Sequence, residues 1–166
     1  MSRTATAPLQ VGMVTLNVRD HNRVADYYRH LLGLETIGQD GTTVQLGVNG
    51  LALLELRGNA ALVQRNPRSA GLFHTAFLMP DRQSLGVWLR HVATDRISVD
   101  GASDHLVSEA VYLHDPEGNG IEVYADRTRA QWGIDGKQIT MSTEQLDIPS
   151  LLDLAPEKSW AGAPAG

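Results

Sequence analysis

A strand–helix–three-strand pattern occurs twice in the 166 residues, and this internal repeat restricts the fold more than any other feature of the chain. The first copy, residues 11 to 60, opens with the β-rich segment Val11–Val18. Asp20 follows as a helix N-cap, and Val24, Tyr27, Tyr28, Leu31 and Leu32 recur at helical spacing up to Gly33. Strand-like runs then cover Glu35–Ile37, Thr42–Val48 and Leu51–Leu56, the last two separated by Asn49-Gly50, a strong hairpin signal. The second copy, residues 73 to 127, has a strand from Phe73 through Met79 and Asp81 as N-cap. Its helix carries Leu85, Trp88, Leu89 and Val92 on one face, and strands are expected near Ile97, Glu109–His114 and Ile121–Ala125. Met13 and His74 are 61 positions apart, and Glu55 and Glu122 are 67. A unit this small buries only about 60% of its unfolded surface. The copies must therefore pack on each other or on copies in another subunit. The expected fold is α+β: two βαβββ modules forming a curved mixed sheet around a cavity, with helices outside.

Around the repeat, residues 1–10 read as an N-terminal extension and 61–72 as a connector. Residues 128–155 read as a C-terminal extension with a short strand at Gln138–Met141 and a short helix at Ile148–Leu154. Residues 156–166 have the Ala, Gly and Pro composition of a linker, which suggests that something once followed it.

Composition narrows the function. A formal charge of −5 offers nucleic-acid phosphates no overall attraction. With no cysteine there is no thiolate nucleophile and no disulfide, so a metal would rest on imidazole and carboxylate, for which six histidines are available. Met1–Gln10 lacks the apolar run of a signal peptide, and no stretch approaches the roughly 18 apolar residues that span a bilayer. The chain reads as soluble and cytoplasmic, with no nucleic-acid or membrane partner. It has no phosphate-cradling glycine loop and no Ser-His-Asp arrangement.

Two residues stand out from the pattern. His74 alternates with Ala76 and Leu78 onto the strand face opposite Thr75, Phe77 and Met79. It is either a hydrogen-bonded core group or a ligand at a cavity. Glu122 interrupts the apolar strand Ile121–Tyr124, where an unpaired buried carboxylate would be costly. It is either salt-bridged or exposed at a strand edge, or it shares a metal with His74. Asp115-Pro116-Glu117-Gly118-Asn119-Gly120 is turn chemistry, with Gly118 and Gly120 admitting positive φ. His114 falls on the same face as Tyr112 as a cavity neighbour, whereas His21, His30 and His91 lie on or beside helices and are expected to be solvated. Tyr27 and Tyr28 read as helix packing against the sheet.

The spacing of His105, Val111-Tyr112, Asp115-Pro116, Gly118 and Glu122 resembles the signature of extradiol ring-cleavage dioxygenases, with one departure at Ser103. These enzymes are members of the vicinal oxygen chelate superfamily, whose unit is the βαβββ module. Residues 11–127 are similar to the two-module half of catechol 2,3-dioxygenase-like proteins, many of them twice this length. The resemblance implies a divalent metal, Fe(II) first and Mn(II) second, held by two histidines and a carboxylate. His74 and Glu122 fall at two of those positions, and Met13 stands where the third histidine belongs.

Three ways of completing the site follow. Glu55 matches a ligand of glyoxalase-type relatives, but it lies six residues past Asn49 whereas Glu122 lies three past Asn119. Without a bulge, that difference in parity turns it to the wrong face. A further segment or another subunit can supply the missing histidine, which is the favoured reading and implies a homo-oligomer, such as a dimer, or pairing with a further two-module segment. Otherwise no catalytic metal binds.

The resemblance also places His105 beside substrate as a proton carrier, and Tyr112 within hydrogen-bonding reach of the reacting oxygens. Read alone, His105 is a loop histidine and Tyr112 an aromatic strand residue. The expected function is ring cleavage of a catecholic aromatic with dioxygen, in aromatic compound catabolism. A glyoxalase-like isomerase or transferase, and a metal-free protein that sequesters small molecules such as antibiotics, are the alternatives.

Overall fold

The computed structural model describes residues 11–66, 68–155 and 160–164. The N-terminal extension 1–10 and residues 156–159 and 165–166 of the linker-like tail lie outside the described residues. The first repeat comprises β1 (Val14–Val18), α1 (His21–Leu32), β2 (Glu35–Asp40), β3 (Thr43–Val48) and β4 (Leu51–Gly58). The second comprises β5 (His74–Leu78), α2 (Arg82–Thr94), β6 (Gly101–Asp104), β7 (Ser108–His114) and β8 (Gly120–Asp126). The extension adds the hairpin β9 (Ile134–Asp135) and β10 (Gln138–Ile139), then β11 (Glu144–Gln145) and α3 (Ile148–Asp153). Each repeat makes its own mixed sheet, in the orders β1-β4-β3-β2 and β11-β6-β7-β8-β5. In both, the first strand lies parallel to the last and the other pairs are antiparallel. This is a mixed α+β fold with the same topology twice. No helix among the described residues is long and apolar enough to cross a membrane.

Local chemistry starts and stops these elements. The Asp20 and Asp81 side chains accept from the Arg23 and Ser84 backbone N–H groups and cap α1 and α2. Gly33 ends α1 in the left-handed region at φ 66°, its N–H donating to Arg29 O. Asn49 and Gly50 both have positive φ, as a two-residue turn matched to strand twist requires. The strand expected near Ile97 does not form. Arg96 takes φ 56°, and the N–H groups of Ile97 and Arg96 donate to Val92 O and Ala93 O. Those bonds close α2 with a Schellman motif, so Ile97 serves the helix end and the strand begins at Gly101. The first strand likewise begins at Val14, because Val11–Met13 precede the first residue paired with β4.

A continuous core joins the repeats. Leu16, Val18, Leu46, Leu54 and Leu56 of the first sheet share one buried cluster with Leu113, Ile121 and Val123 of the second. The helices carry the join: Tyr28 of α1 packs on Phe77 of β5, and fully buried Trp88 of α2 donates from Nε1 to Leu31 O at 2.8 Å. Glu117 adds a polar link, its carboxylate accepting from the N–H groups of Arg19 and Asp20 at 2.7 Å each. Trp160 and Ala163 of the tail also pack against the body, with Trp160 stacked on His91.

Candidate functional site

Strand alternation places His74 and Ala76 on the face of β5 opposite the core, while Thr75 is buried and Phe77 packs on it. In the parallel β5–β8 register His74 lies opposite Gly120, and Ala76 opposite Glu122. In the antiparallel β7–β8 register Tyr112 lies opposite Glu122. The three side chains therefore share one face, and they bond in sequence. His74 Nε2 lies 2.8 Å from Glu122 Oε2, and Tyr112 donates to Glu122 Oε1 at 2.8 Å. The β6–β7 loop extends the run, with His105 Nε2 2.8 Å from the Tyr112 hydroxyl and Nδ1 2.9 Å from Ser142 O.

Gly120 is required here for space and not for positive φ as expected. A Cβ at this position would lie 2.2 Å from Phe73 O and 3.2 Å from His74 Cα. Gly120→Ala is therefore expected to push β5 away and displace His74. It should lower metal affinity at least about tenfold, since loss of ligand orientation alone costs that much. Titration of the folded variant with Fe(II) checks this.

Proton bookkeeping constrains the run. A carbonyl only accepts, so His105 Nδ1 carries a proton toward Ser142. The phenol of Tyr112 has one proton to offer to two neighbours. With that proton on ionised Glu122, His105 Nε2 must donate to the phenol oxygen. When Tyr112 instead donates to His105, Glu122 loses a donor. Burial first, and then the hydrogen bond and charge of Glu122, push the Tyr112 phenol far above its ordinary range. Tyr112 is thus a neutral hydrogen-bonding group between a carboxylate and an imidazole.

The loop that presents His105 is held from outside the run. Leu106 adopts φ 66°, and its N–H donates to Asp104 Oδ1 at 2.8 Å. Asp104 Oδ2 pairs with Arg127 at 2.6 Å. Burial alone would raise the Asp104 carboxyl, but these bonds outweigh it and the net shift is downward. Arg127 also approaches buried Glu109, to which Arg82 donates from Nε. Nothing in the spacing of these four charged residues marked them as a network, because each comes from a different element.

His74 and Glu122 fit a divalent cation in part. Their 2.8 Å separation matches the edge of about 2.8–3.0 Å between neighbouring ligands at six-coordinate bonds of about 2.0–2.1 Å. An imidazole with a carboxylate is also the donor set of ferrous oxygenase centres. Among the described residues, no third His, Cys, Asp or Glu joins them. Met13, one residue before β1, is 39% exposed and offers only a thioether.

Glu55 occupies the corresponding place on the first sheet after all. It lies opposite Thr15, two residues past Met13, as Glu122 lies opposite Ala76, two past His74. A register shift between Leu46 and Gly47 restores the parity. Gly47 permits it, since a Cβ there would lie 1.8 Å from Leu51 O, and a glycine within an apolar strand was the available signal. Both Glu55 oxygens are engaged: Gln45 donates to Oε2 at 2.8 Å, while Arg57 and Thr15 donate to Oε1. Gln45 foremost, then Arg57, hold its carboxyl below the ordinary range although burial opposes them.

The remaining expectations divide. Exposed His114 pairs with Asp100. His91 is not solvated: its side chain is 10% exposed, whereas His30 is 56% exposed, and both meet Asp95. A cleft of about 450 Å³ lies where the repeats meet and is lined by Arg19, Arg23, Arg65 and Glu117, among others. Its lining includes neither His74, Glu122, Tyr112 nor His105.

Two βαβββ units sharing one core, with an imidazole–carboxylate pair on the second sheet, define a paired-module α+β protein. The chain belongs to the Glyoxalase/Bleomycin resistance protein/Dioxygenase superfamily, whose model matches residues 10–123. It is 37% identical over 157 residues to catechol-2,3-dioxygenase of Bacillus subtilis (strain 168), covering 93% of this chain and 55% of that protein. The chain thus spans about half the length of that relative. Among solved structures, a glyoxalase/dioxygenase from Nostoc punctiforme superposes with a TM-score of 0.59 at 20% identity, covering 74% of this chain and 96% of that one. Lactoylglutathione lyase from Agrobacterium tumefaciens gives 0.56 at 24% identity, covering 71% and 94%. These likenesses reach the fold; the reaction depends on the site.

Proposed function

We propose that the chain is a metal-dependent extradiol dioxygenase-like protein acting on a catecholic aromatic with dioxygen. The observation that carries this reading is the run His74–Glu122–Tyr112–His105, which joins a ligand-type pair to a proton path within one hydrogen-bonded file. The 37% identity to a catechol-2,3-dioxygenase supports it. Fe(II) is the first candidate and Mn(II) the second, with His74 Nε2 and Glu122 Oε2 as holders. When bound, the metal supplies Lewis acidity and electron exchange with dioxygen. The third protein ligand comes from a second copy of the chain or from a further two-module segment, because Met13 cannot serve.

The chain's own residues orient the substrate and move its proton. Glu122 offsets the positive charge of the site. Tyr112, kept neutral, donates a hydrogen bond and excludes a second negative charge. His105 is anchored through Nδ1–H on Ser142 O, which aims Nε2 at Tyr112 and toward an acidic hydroxyl of the substrate. In the alternative arrangement, where Nε2 does not donate to the phenol and carries no proton, it can take the substrate proton and later return it.

The test is anaerobic loading with Fe(II), followed by catechol and dioxygen, with product followed by its yellow absorbance. Turnover is expected. His105→Asn should lower it by about 10²- to 10⁴-fold, the usual worth of a positioned acid–base group, with iron content unchanged. Iron retention with no catechol-dependent oxygen consumption would refute the reading.

A glyoxalase-like isomerase is the second reading, favoured by the register-equivalent placement of Glu55 and Glu122. It requires Glu55 to leave Arg57 and Gln45 for the metal. Glu55→Gln with metal binding intact would remove it.

A further inference from the structure

We propose that His30, His91 and Asp95 form a second metal site, for a divalent transition ion of the zinc type, clasping the C-terminal ends of the two repeat helices. The site is separate from the His74–Glu122 pair and does not depend on the reaction assigned to it. His30 lies in the last turn of α1, His91 in the last turn of α2, and Asp95 caps α2. Each residue offers one ligand atom, and the three atoms lie within 4.8 Å of one another. His30 Nε2 is 3.2 Å from Asp95 Oδ2, and His91 Nδ1 is 3.4 Å from the same oxygen. Bonds of about 2.0–2.2 Å around a tetrahedral zinc set ligand–ligand edges of about 3.3–3.6 Å. The two separations from Asp95 Oδ2 are close to such an edge, and three protein ligands leave the fourth position for solvent.

Electrostatics and tautomer both call for a cation at this point. Two helix C-termini, each carrying partial negative charge, converge on a carboxylate. His91 Nε2 lies 2.9 Å from His30 O, and that carbonyl can only accept, so the ring's proton sits on Nε2. In the neutral ring the unprotonated Nδ1 then lies 3.4 Å from an anionic oxygen, a pairing that a positive ion between them turns from repulsive to bonding. The bond from Nε2–H to a backbone carbonyl is also the usual support of a metal-ligating histidine. Trp160 stacks on the His91 ring with planes 14° apart, fixing its orientation. Imidazole with one carboxylate suits zinc, nickel and cobalt better than calcium or magnesium. Because His30 and His91 belong to different repeats, the ion would tie the modules together beside the Trp88–Leu31 bond.

The experiment titrates Zn²⁺ into chelator-treated full-length chain that carries His74→Ala and Glu122→Ala, so that only the second site is counted. One equivalent is expected to bind, with a thermal midpoint raised by about 5 °C or more at saturation. Co²⁺ should give the visible absorption of a four-coordinate site. His30→Gln and Asp95→Asn, both at solvent-accessible positions, should each weaken Zn²⁺ at least tenfold with unchanged circular dichroism. If the double variant does not fold, the same two substitutions in the wild-type chain should each remove one equivalent. No binding at this site, or binding indifferent to both His30→Gln and Asp95→Asn, would overturn the proposal.

Discussion

Replacing Glu122 by alanine should strip the second-sheet site of Fe(II), lowering its affinity at least about 100-fold. That is the upper range of what losing a mere supporting partner costs at a metal centre, and Glu122 is proposed here as a holder. The side chain has two tasks. Oε2 meets His74, and Oε1 receives the Tyr112 hydroxyl, so alanine removes a donor to the cation and frees the phenol. Glu122→Gln separates the tasks: its amide oxygen can still accept from Tyr112, but the negative charge is gone. Both variants should lose iron and ring cleavage, whereas Tyr112→Phe should keep the iron and lose turnover. Metal content after anaerobic loading and desalting is the measurement. It is best made with His30→Gln present, so that ions held between the helices are not counted. Full iron content in Glu122→Ala would remove the His74–Glu122 pair from consideration as the holder.

The second large effect concerns the join between repeats. Trp88→Ala is expected to cost about 3–5 kcal/mol, the usual range for deleting a large buried aromatic. Domains of this kind have only about 5–15 kcal/mol in total, so much of the stability would go. The indole is fully buried, and its N–H serves the Leu31 carbonyl at the end of the other helix. Trp88→Phe keeps most of the apolar contact and loses the bond, so it should cost less. Urea unfolding of the three proteins gives the comparison. If Trp88→Ala behaved like wild type, the helices would not be what holds the two sheets together.

Much of the architecture was legible residue by residue because it rests on local rules. Period-two alternation separates His74 from Thr75 and sets the faces of β7 and β8. Asp20 and Asp81 announce helix starts, and Asn49-Gly50 announces a hairpin, each through a bond or a φ value confined to neighbours in the chain. His74, Tyr112, Glu122 and His105 could be singled out because a carboxylate and an imidazole are conspicuous in apolar strands and a known spacing ties three of them together. Periodicity is silent, however, on pairing register. The face taken by Glu55 turned on a bulge at Gly47, and Gly120 proved necessary because β5 approaches it closely, not for its backbone angle. Ile97 reads as a strand residue, yet the end of α2 claims it.

By itself, the sequence determined a twofold βαβββ chain with a candidate imidazole–carboxylate pair in the second copy. Tertiary structure alone decided which distant groups meet. His30 and Asp95 are brought to 3.2 Å, and Arg82 reaches Glu109, by packing between elements far apart along the chain. The physical reason is that secondary-structure preference acts over a few residues, whereas the approach of two helices or two strands is set by the burial of the whole core between them.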